Sequence, residues 1–124
     1  MIHIDTHIAV WLHQKRPGKI SRQATRAMRE NAIALSPIVI VELAYMTEIG
    51  RLKADPEGVQ ANLENEFGIT LSKAVFSDVC RTSLRQTWTR DPFDRLIVAN
   101  AIADGARLVT ADERILEHFP DAVW

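Results

Sequence analysis

Apolar and polar positions show two patterns along the chain. One is typical of short buried strands, and the other is typical of amphipathic helices. Short apolar runs predict strands at 2–4, 32–35, 69–71, 107–110 and 122–124. Apolar residues at helical spacing predict helices at 6–13, 22–31, 38–49, 55–68, 76–88, 92–104 and 112–117. Because helices separate the strands, this order predicts a parallel sheet covered on both faces.

Capping signals mark where two of these helices begin. Ser36 and Pro37 stand in the order preferred for an N-cap and the first helical position, and Asp91 and Pro92 repeat that order. The helix over 92–104 is apolar on nearly every side, which predicts an interior position.

These elements predict an α/β fold with three layers, in which a short central parallel sheet is flanked by helices. A chain of 124 residues, 47% of them hydrophobic, is long enough to bury a core without disulfides. No internal repeat, low-complexity tract or linker is visible. We therefore expect a single domain over 1–124.

Composition also points to a compartment. The single cysteine, Cys80, cannot form an intrachain disulfide, which favours a reducing interior. The first residues show neither a basic stretch nor an apolar region of a secretory leader. No apolar run approaches the roughly 18 residues of a membrane-spanning helix. We expect a cytoplasmic protein without a membrane partner.

The charges are segregated along the chain. There are 15 Lys and Arg against 16 Asp and Glu, a net charge of −1, which by itself argues against nucleic-acid binding. No acid occurs between Thr6 and Arg29, whereas that stretch holds six basic residues. They are Lys15, Arg16, Lys19, Arg22, Arg26 and Arg29. This basic segment, 15–29, is either a solvated surface or a contact for RNA or a protein.

Several chemistries are absent from the sequence. The five glycines are too dispersed for a dinucleotide-binding or phosphate-cradling loop, and no Gly-x-Ser-x-Gly nucleophile motif occurs. His3 and His7 straddle a predicted junction between strand and helix, so they need not share a face. Surface or packing roles are favoured for them over a zinc pair.

Glu42 is the first unusual carboxylate. On a helix its neighbours are Ile38, Val39, Tyr45 and Met46, so it projects from the face predicted to enter the core. A buried carboxylate must be protonated, paired with a cation or bound to a metal. The alternatives are an ion pair with a basic residue, or a helix face less buried than predicted.

Three aspartates occupy similar places. Asp94 lies in the first turn of the apolar helix, with Ile97 and Val98 on its face, although an acid there also complements the helix dipole. Asp5 and Asp112 each follow a predicted strand, where each can simply cap the next helix.

Taken together the four acids indicate a site. The carboxyl ends of parallel strands share one edge of a sheet, and ligands bind there where the strand order reverses. Asp5, Asp94 and Asp112 can meet at that edge, and Glu42 can reach it from its helix. Carboxylates without histidine or thiolate ligands suit Mg²⁺ or Mn²⁺, ions that serve phosphoryl chemistry.

Four segments carry a more specific signal. They are Ile4-Asp5-Thr6-His7, Leu35-Ser36-Pro37 leading into Val41-Glu42-Leu43-Ala44, Arg90-Asp91-Pro92-Phe93-Asp94-Arg95-Leu96-Ile97-Val98-Ala99, and Leu108-Val109-Thr110-Ala111-Asp112. In order and spacing they resemble the PIN-domain nucleases, specifically the VapC-like toxins of type II toxin–antitoxin pairs. The resemblance covers nearly the whole chain, and 91–99 is its most specific part.

The resemblance implies a catalytic and metal-binding set of Asp5, Glu42, Asp94 and Asp112, with Thr110 helping to hold the acids together. It implies an endoribonuclease that depends on Mg²⁺ or Mn²⁺ and hydrolyses phosphodiester bonds with a metal-activated water. It also implies a homodimer and inhibition by a VapB-like antitoxin. One departure is Thr89, where this subgroup is expected to have a histidine.

RNA contacts and other functions stay open at this stage. Arg90 and Arg95 beside the acids, and the basic segment, are candidate phosphate contacts. A catalytically silent module of the same fold, binding RNA or an assembly partner, is expected to have lost some acids. A phosphorylatable receiver domain carries adjacent acids after its first strand and a late lysine. Here Thr6 follows Asp5, and no lysine lies beyond Lys73.

Overall fold

A computed structural model describes residues 1–124 and contains one sheet of five parallel strands. The strands are β1 (Ile2–Ile4), β2 (Ile33–Leu35), β3 (Thr70–Leu71), β4 (Arg107–Val109) and β5 (Ala122–Val123). The helices are α1 (Thr6–His13), α2 (Arg22–Arg29), α3 (Pro37–Glu48), α4 (Pro56–Phe67), α5 (Phe76–Ser83), α6 (Pro92–Ala103) and α7 (Glu113–His118), with a 3₁₀ turn at Pro17–Lys19. Because helices flank the sheet, the predicted three-layer α/β/α fold is confirmed.

The strand order creates a crevice beside the central strand. The sheet runs β3-β2-β1-β4-β5, and Ile4 of β1 is in register with Leu35 on one side and Val109 on the other. The chain builds outward from β1 to β3 and then returns to β4 on the other side of β1. The connections that leave β1 and β4 therefore diverge, which opens the sheet edge between them to a ligand.

The middle strand is buried on both faces. Ile2 and Ile4 are fully buried, and so is His3 between them. His3 Nε2 lies 2.7 Å from Oδ2 of Asp104 at the end of α6, and Ser72 Oγ donates to the same oxygen. Burial lowers the pKa of His3 despite this partner. His3 is a packing histidine that ties β1 to α6, as predicted.

The predicted helix over 76–88 is wrong in its second half, because α5 ends at Ser83. The amides of residues 84–86 bond to carbonyls three positions back, which is turn geometry. Ser83 Oγ donates to a backbone carbonyl three residues earlier, a competition that weakens helices. Leu84 is 71% exposed, so no core contact continues the helix, and Trp88 lies beyond it.

Several other helix boundaries coincide with capping residues. Ser36 caps α3 by accepting from the amide of Ile38, and Asp91 caps α6. Gly68 ends α4 in the left-handed conformation, at φ 66°, which a glycine adopts without steric cost. No helix has the length and apolar character needed to cross a bilayer.

Candidate active site

Asp5 lies at the point where β1 ends and α1 begins. Its Oδ1 accepts a hydrogen bond from the amide of Ile8 at 3.0 Å, which caps α1. Its Oδ2 accepts from the hydroxyl of Thr110, and its own amide donates to the carbonyl of Val109 at 3.1 Å. With 6% of its surface exposed, this carboxylate is buried and fixed in orientation.

Thr110 connects two of the acids across the crevice. It is fully buried directly after β4, and its hydroxyl donates to Asp5 while accepting from the amide of Asp112 at 3.0 Å. Asp112 in turn caps α7, because its Oδ1 accepts from the amides of Arg114 and Ile115 at 2.9 and 3.0 Å. Only one oxygen of Asp112 is used by the cap, so the other is free to bind a ligand.

Glu42 approaches the same edge from α3. Its Oε1 accepts a hydrogen bond from the hydroxyl of Thr6, the residue after Asp5. The prediction that its helix face enters the core is wrong in part. Val39 is fully buried, but Glu42 is half-buried and Tyr45 is 49% exposed. The face therefore borders the crevice and is not sealed within the core.

Asp94 completes the group from the first turn of α6. The preceding Asp91 is the N-cap, and its Oδ1 accepts from the amides of Phe93 and Asp94 at 2.8 and 3.3 Å. The capping role predicted for Asp91 is thus confirmed, which leaves the Asp94 carboxylate uncommitted. Ile97 and Val98 are buried beside it, 2% and 0% exposed.

Burial and neighbouring negative charges raise the pKa values of three of the site carboxylates. Burial, and then the negative charges of Asp91, Asp112, Glu42 and Asp5, raise the pKa of Asp94 to about 7. Burial also raises the pKa values of Asp5 and Glu42, although their hydrogen bonds oppose the effect. The four carboxylates therefore lie close enough to influence one another, and together they create one negative electrostatic field at this sheet edge.

No cation balances this field within the protein. None of the five ion pairs of the structure involves Asp5, Glu42, Asp94 or Asp112. The alternative that Glu42 pairs with a basic residue is therefore excluded. A positive influence comes from His7, which is exposed and lowers the pKa values of Asp5 and Glu42.

The donor set fits a divalent cation by its chemistry. It consists of carboxylate oxygens without a cationic partner, the kind of site that Mg²⁺ and Mn²⁺ occupy, and the pKa values of Asp5, Glu42 and Asp94 are raised. The side chains are not preset as a ligand cage, because no three acidic, histidine or cysteine side chains already stand close enough to hold an ion. Binding would therefore require them to turn toward a shared ion.

Sequence reasoning missed three neighbours of the acids. Thr6 orients Glu42, His7 lines the cleft with Asp5 and Asp112, and the charge of Asp91 acts on Asp94. Thr6 and His7 follow Asp5 directly in the sequence. Their position after the end of a strand could therefore have identified them as neighbours of the site. The influence of Asp91 depends on tertiary packing.

Arg90 and Arg95, the two arginines predicted to lie beside the acids, differ in whether their side chains are already hydrogen-bonded. Arg90 is exposed, whereas Arg95 Nε donates to the carbonyl of Thr89 at 2.6 Å. Thr89, found where a histidine was expected, is 4% exposed, and its hydroxyl accepts from the amide of Asp91. Thr89 and Arg95 therefore both stabilise the start of α6.

Comparison with known proteins places the chain in a family. The model of the PIN domain matches residues 2–121. The chain is 35% identical to Ribonuclease VapC22 of Mycobacterium tuberculosis over 130 residues, covering 98% of this chain and 96% of that protein. It is 30% identical to Ribonuclease VapC2 of Rickettsia felis over 128 residues, covering 97% and 92%.

Solved structures agree with that placement. The crystal structure of VapBC2 from Rickettsia felis bound to a promoter DNA fragment aligns with a TM-score of 0.65 at 27% identity, covering 98% of this chain and 96% of that chain. A toxin–antitoxin complex from Klebsiella pneumoniae aligns with a TM-score of 0.66 at 19% identity, covering 100% and 97%, and shares the fold. The chain therefore belongs to the PIN-domain family, as a VapC-like member.

Proposed function

We propose that this protein is a divalent-metal-dependent endoribonuclease and the toxin of a toxin–antitoxin pair acting in the cytoplasm. The observation that carries the proposal is the set of four carboxylates at one sheet edge, none of which has a cationic partner. Both curated relatives are named ribonucleases, which supports RNA as the substrate.

In the proposed mechanism Asp5 and Asp94 would be the principal ligands of Mg²⁺ or Mn²⁺. Glu42 and Asp112 would complete the pocket, and Thr110 and Thr6 hold Asp5 and Glu42 in orientation. When bound, the ion supplies an activated water and neutralises the charge of the scissile phosphate. Because burial and the neighbouring acids raise the pKa of Asp94 to about 7, a cation bound at neutral pH would compete with a proton for this carboxylate.

The substrate is expected to present an open backbone, as in a single-stranded or looped RNA. Exposed Arg90 is the better placed of the two arginines to contact a phosphate. Arg95 already donates to a backbone carbonyl, so its contribution is to hold the start of α6.

Substituting Asp94→Asn tests the catalytic proposal. We expect RNA cleavage by the purified protein to fall more than about a hundredfold, since even residues that only support a metal site cost ten- to a hundredfold. We also expect the growth arrest caused by expression to be relieved. Both are measured directly, by gel assay of labelled RNA and by growth curves.

The matched control is Asp121→Asn, the same chemical change on an exposed aspartate. It should leave cleavage unchanged, and both variants should fold, as judged by circular dichroism. Undiminished cleavage by the Asp94→Asn variant, or cleavage by the wild type in excess chelator, would refute the proposed mechanism.

An antitoxin partner and a homodimer are part of the same proposal. The two structural neighbours are described as a toxin–antitoxin complex and as VapBC2, which supports a protein partner. Apolar side chains exposed on α3 and α5, including Val41 and Phe76 at 53% and 66%, offer a surface for protein contacts. Light scattering should give twice the mass of one chain, and a monomer at all concentrations would contradict the dimer.

A further inference from the structure

The acidic site cannot supply the affinity for RNA that the proposed function requires. Its carboxylates repel phosphates, so binding must come from a positively charged surface next to it. The basic segment was open to three interpretations, a solvated surface, an RNA contact or a protein contact. Its position in the folded chain favours one of them.

Three surface clefts join the acidic site to the basic segment. The first is lined by Asp5, His7, Trp11 and Asp112. Trp11 also lines a second cleft with Lys15 and Arg16. Because Trp11 lines both clefts, the two clefts adjoin at its side chain, which lies between the acids and the basic residues.

The third cleft continues the path. Pro17 lines both the second cleft and this one, whose lining also includes Arg22, Arg26 and Arg29 together with Glu30. These three arginines are four and three residues apart on α2, so they form one exposed stripe along the helix. Their spacing covers about 10 Å of helix at about 1.5 Å per residue.

The environment of Trp11 is suited to stacking of its ring against an RNA base. Its ring packs against the rings of His7 and Trp124, each with centroids 6.2 Å apart, which fixes its orientation. The ammonium of Lys19 lies 5.6 Å from its centroid. Aromatic rings flanked by cations bind single-stranded RNA by stacking one base while the cation meets its phosphate.

Most charges on this path are available to a ligand. Lys15 lies 3.8 Å from Glu66 and Arg26 lies 2.8 Å from Glu30, in pairs that are exposed to solvent. The other four basic residues have no acid within ion-pair distance. They are Arg16, Lys19, Arg22 and Arg29.

We propose that the three clefts form a binding track for single-stranded RNA, in which Trp11 stacks a base beside the scissile phosphate and Lys19, Arg22 and Arg29 bind the phosphates that follow. This inference rests on the proposed function and deepens it, because it assigns the direction in which the substrate leaves the acidic site.

The test measures binding and cleavage separately. Binding of a fluorescein-labelled single-stranded RNA is measured by anisotropy in EDTA over a series of salt concentrations, for the wild type and an Arg22→Gln/Arg29→Gln variant. The control, Lys53→Gln/Arg85→Gln, removes the same charge from exposed residues that form no ion pair. Removing one bond between a basic side chain and a phosphate should reduce the slope of log affinity against log salt by about 0.7.

We expect the track variant to bind at least about tenfold more weakly at low salt, with a slope reduced by about 1.4, while the control keeps both values. Trp11→Leu should weaken binding by about tenfold or more without changing the slope, because stacking is not electrostatic. In Mg²⁺, the track variant should raise KM for long RNA, whereas the Lys53→Gln/Arg85→Gln control should keep the wild-type KM.

Equal affinity and slope for the track variant and the control would overturn the track. A second result would also overturn the RNA track: the wild type binds a polyglutamate peptide, the track variant does not, and the two bind RNA equally. That result would assign the surface to an acidic protein segment. These results are independent of catalysis. A protein that binds RNA through the track and never cleaves it would refute the proposed function alone.

Discussion

A single carboxylate, that of Asp94, carries the clearest electrostatic signature of the site. It lies among four other acids, its pKa is raised to about 7, and its own helix cap is provided by a different residue. Stability and function therefore conflict at this residue. Its negative charge destabilises the metal-free fold, and the same charge is what a divalent ion would bind.

Replacing Asp94 by Asn should stabilise the metal-free protein in a pH-dependent manner. The folded protein holds this proton up to about pH 7, whereas the unfolded chain releases it near the ordinary value of 3.8. Wild-type stability is therefore lost as pH rises between these values. The advantage of Asp94→Asn in unfolding free energy should be small at pH 4, grow up to about pH 7 and then stay constant.

Urea unfolding in EDTA at a series of pH values measures this difference. The Asp121→Asn variant serves as the control, because that aspartate is exposed. An Asp94→Asn variant that is less stable than the wild type at pH 8 would show that the charge is balanced by a group within the protein.

At the scale of secondary structure, helix starts position three of the four acids. Asp5 and Asp112 are N-caps of α1 and α7, and Asp94 lies in the first turn of α6. A helix N-terminus favours negative charge, by roughly 0.3–1 kcal/mol at an exposed site. Burial and mutual repulsion exceed that contribution here, since the pKa values of Asp5 and Asp94 are raised.

Two substitutions of Asp91 distinguish its role as the N-cap of α6 from its electrostatic effect on Asp94. Asn at an N-cap accepts the same hydrogen bonds, so Asp91→Asn should keep α6 intact and lower the pKa of Asp94 by removing a negative neighbour. Asp91→Ala should instead cost about 1 kcal/mol of unfolding free energy. Carboxylate NMR titration measures the first effect and urea unfolding the second.

An unchanged Asp94 pKa in the Asp91→Asn variant would contradict the assigned electrostatic coupling. Equal stability of the two Asp91 variants would contradict the cap.

Helix boundaries differ in how well the sequence alone predicts them. The starts of α3 and α6 were predictable because Ser36-Pro37 and Asp91-Pro92 act locally. The end of α5 was not, because the apolar spacing up to Trp88 continues after the backbone has turned. The extent to which Glu42 is buried was also misjudged, since it depends on how α3 packs against its neighbours.

The same division holds for the site. The position of Asp5 and Asp112 at one sheet edge followed from strand ends and parallel topology. The bridging hydroxyl of Thr110 was implied by the family resemblance and not by local pattern. The field that links Asp91 to Asp94, and the clefts that share Trp11, depend on contacts that only the folded chain makes.

At the scale of the whole molecule, near neutrality conceals a separation of charge. With the four site acids set aside, 15 basic residues face 12 acidic ones, so the rest of the chain is mildly basic. The strand order concentrates the acids at the crevice between β1 and β4, and the basic segment occupies α2 and the preceding turn. A divalent ion would neutralise the crevice before a phosphate approaches it.

Binding of Mn²⁺ measured by titration calorimetry in two buffers of different ionisation enthalpy tests the central claim most directly. Because Asp94 is half-protonated at pH 7, we expect the wild type to release at least about half a proton per ion bound, falling toward zero at pH 9. The Asp94→Asn variant should bind more weakly and lose that release. Absence of Mn²⁺ binding by the wild type, or equal affinity and proton release in the variant, would contradict the assignment of these acids as a metal site.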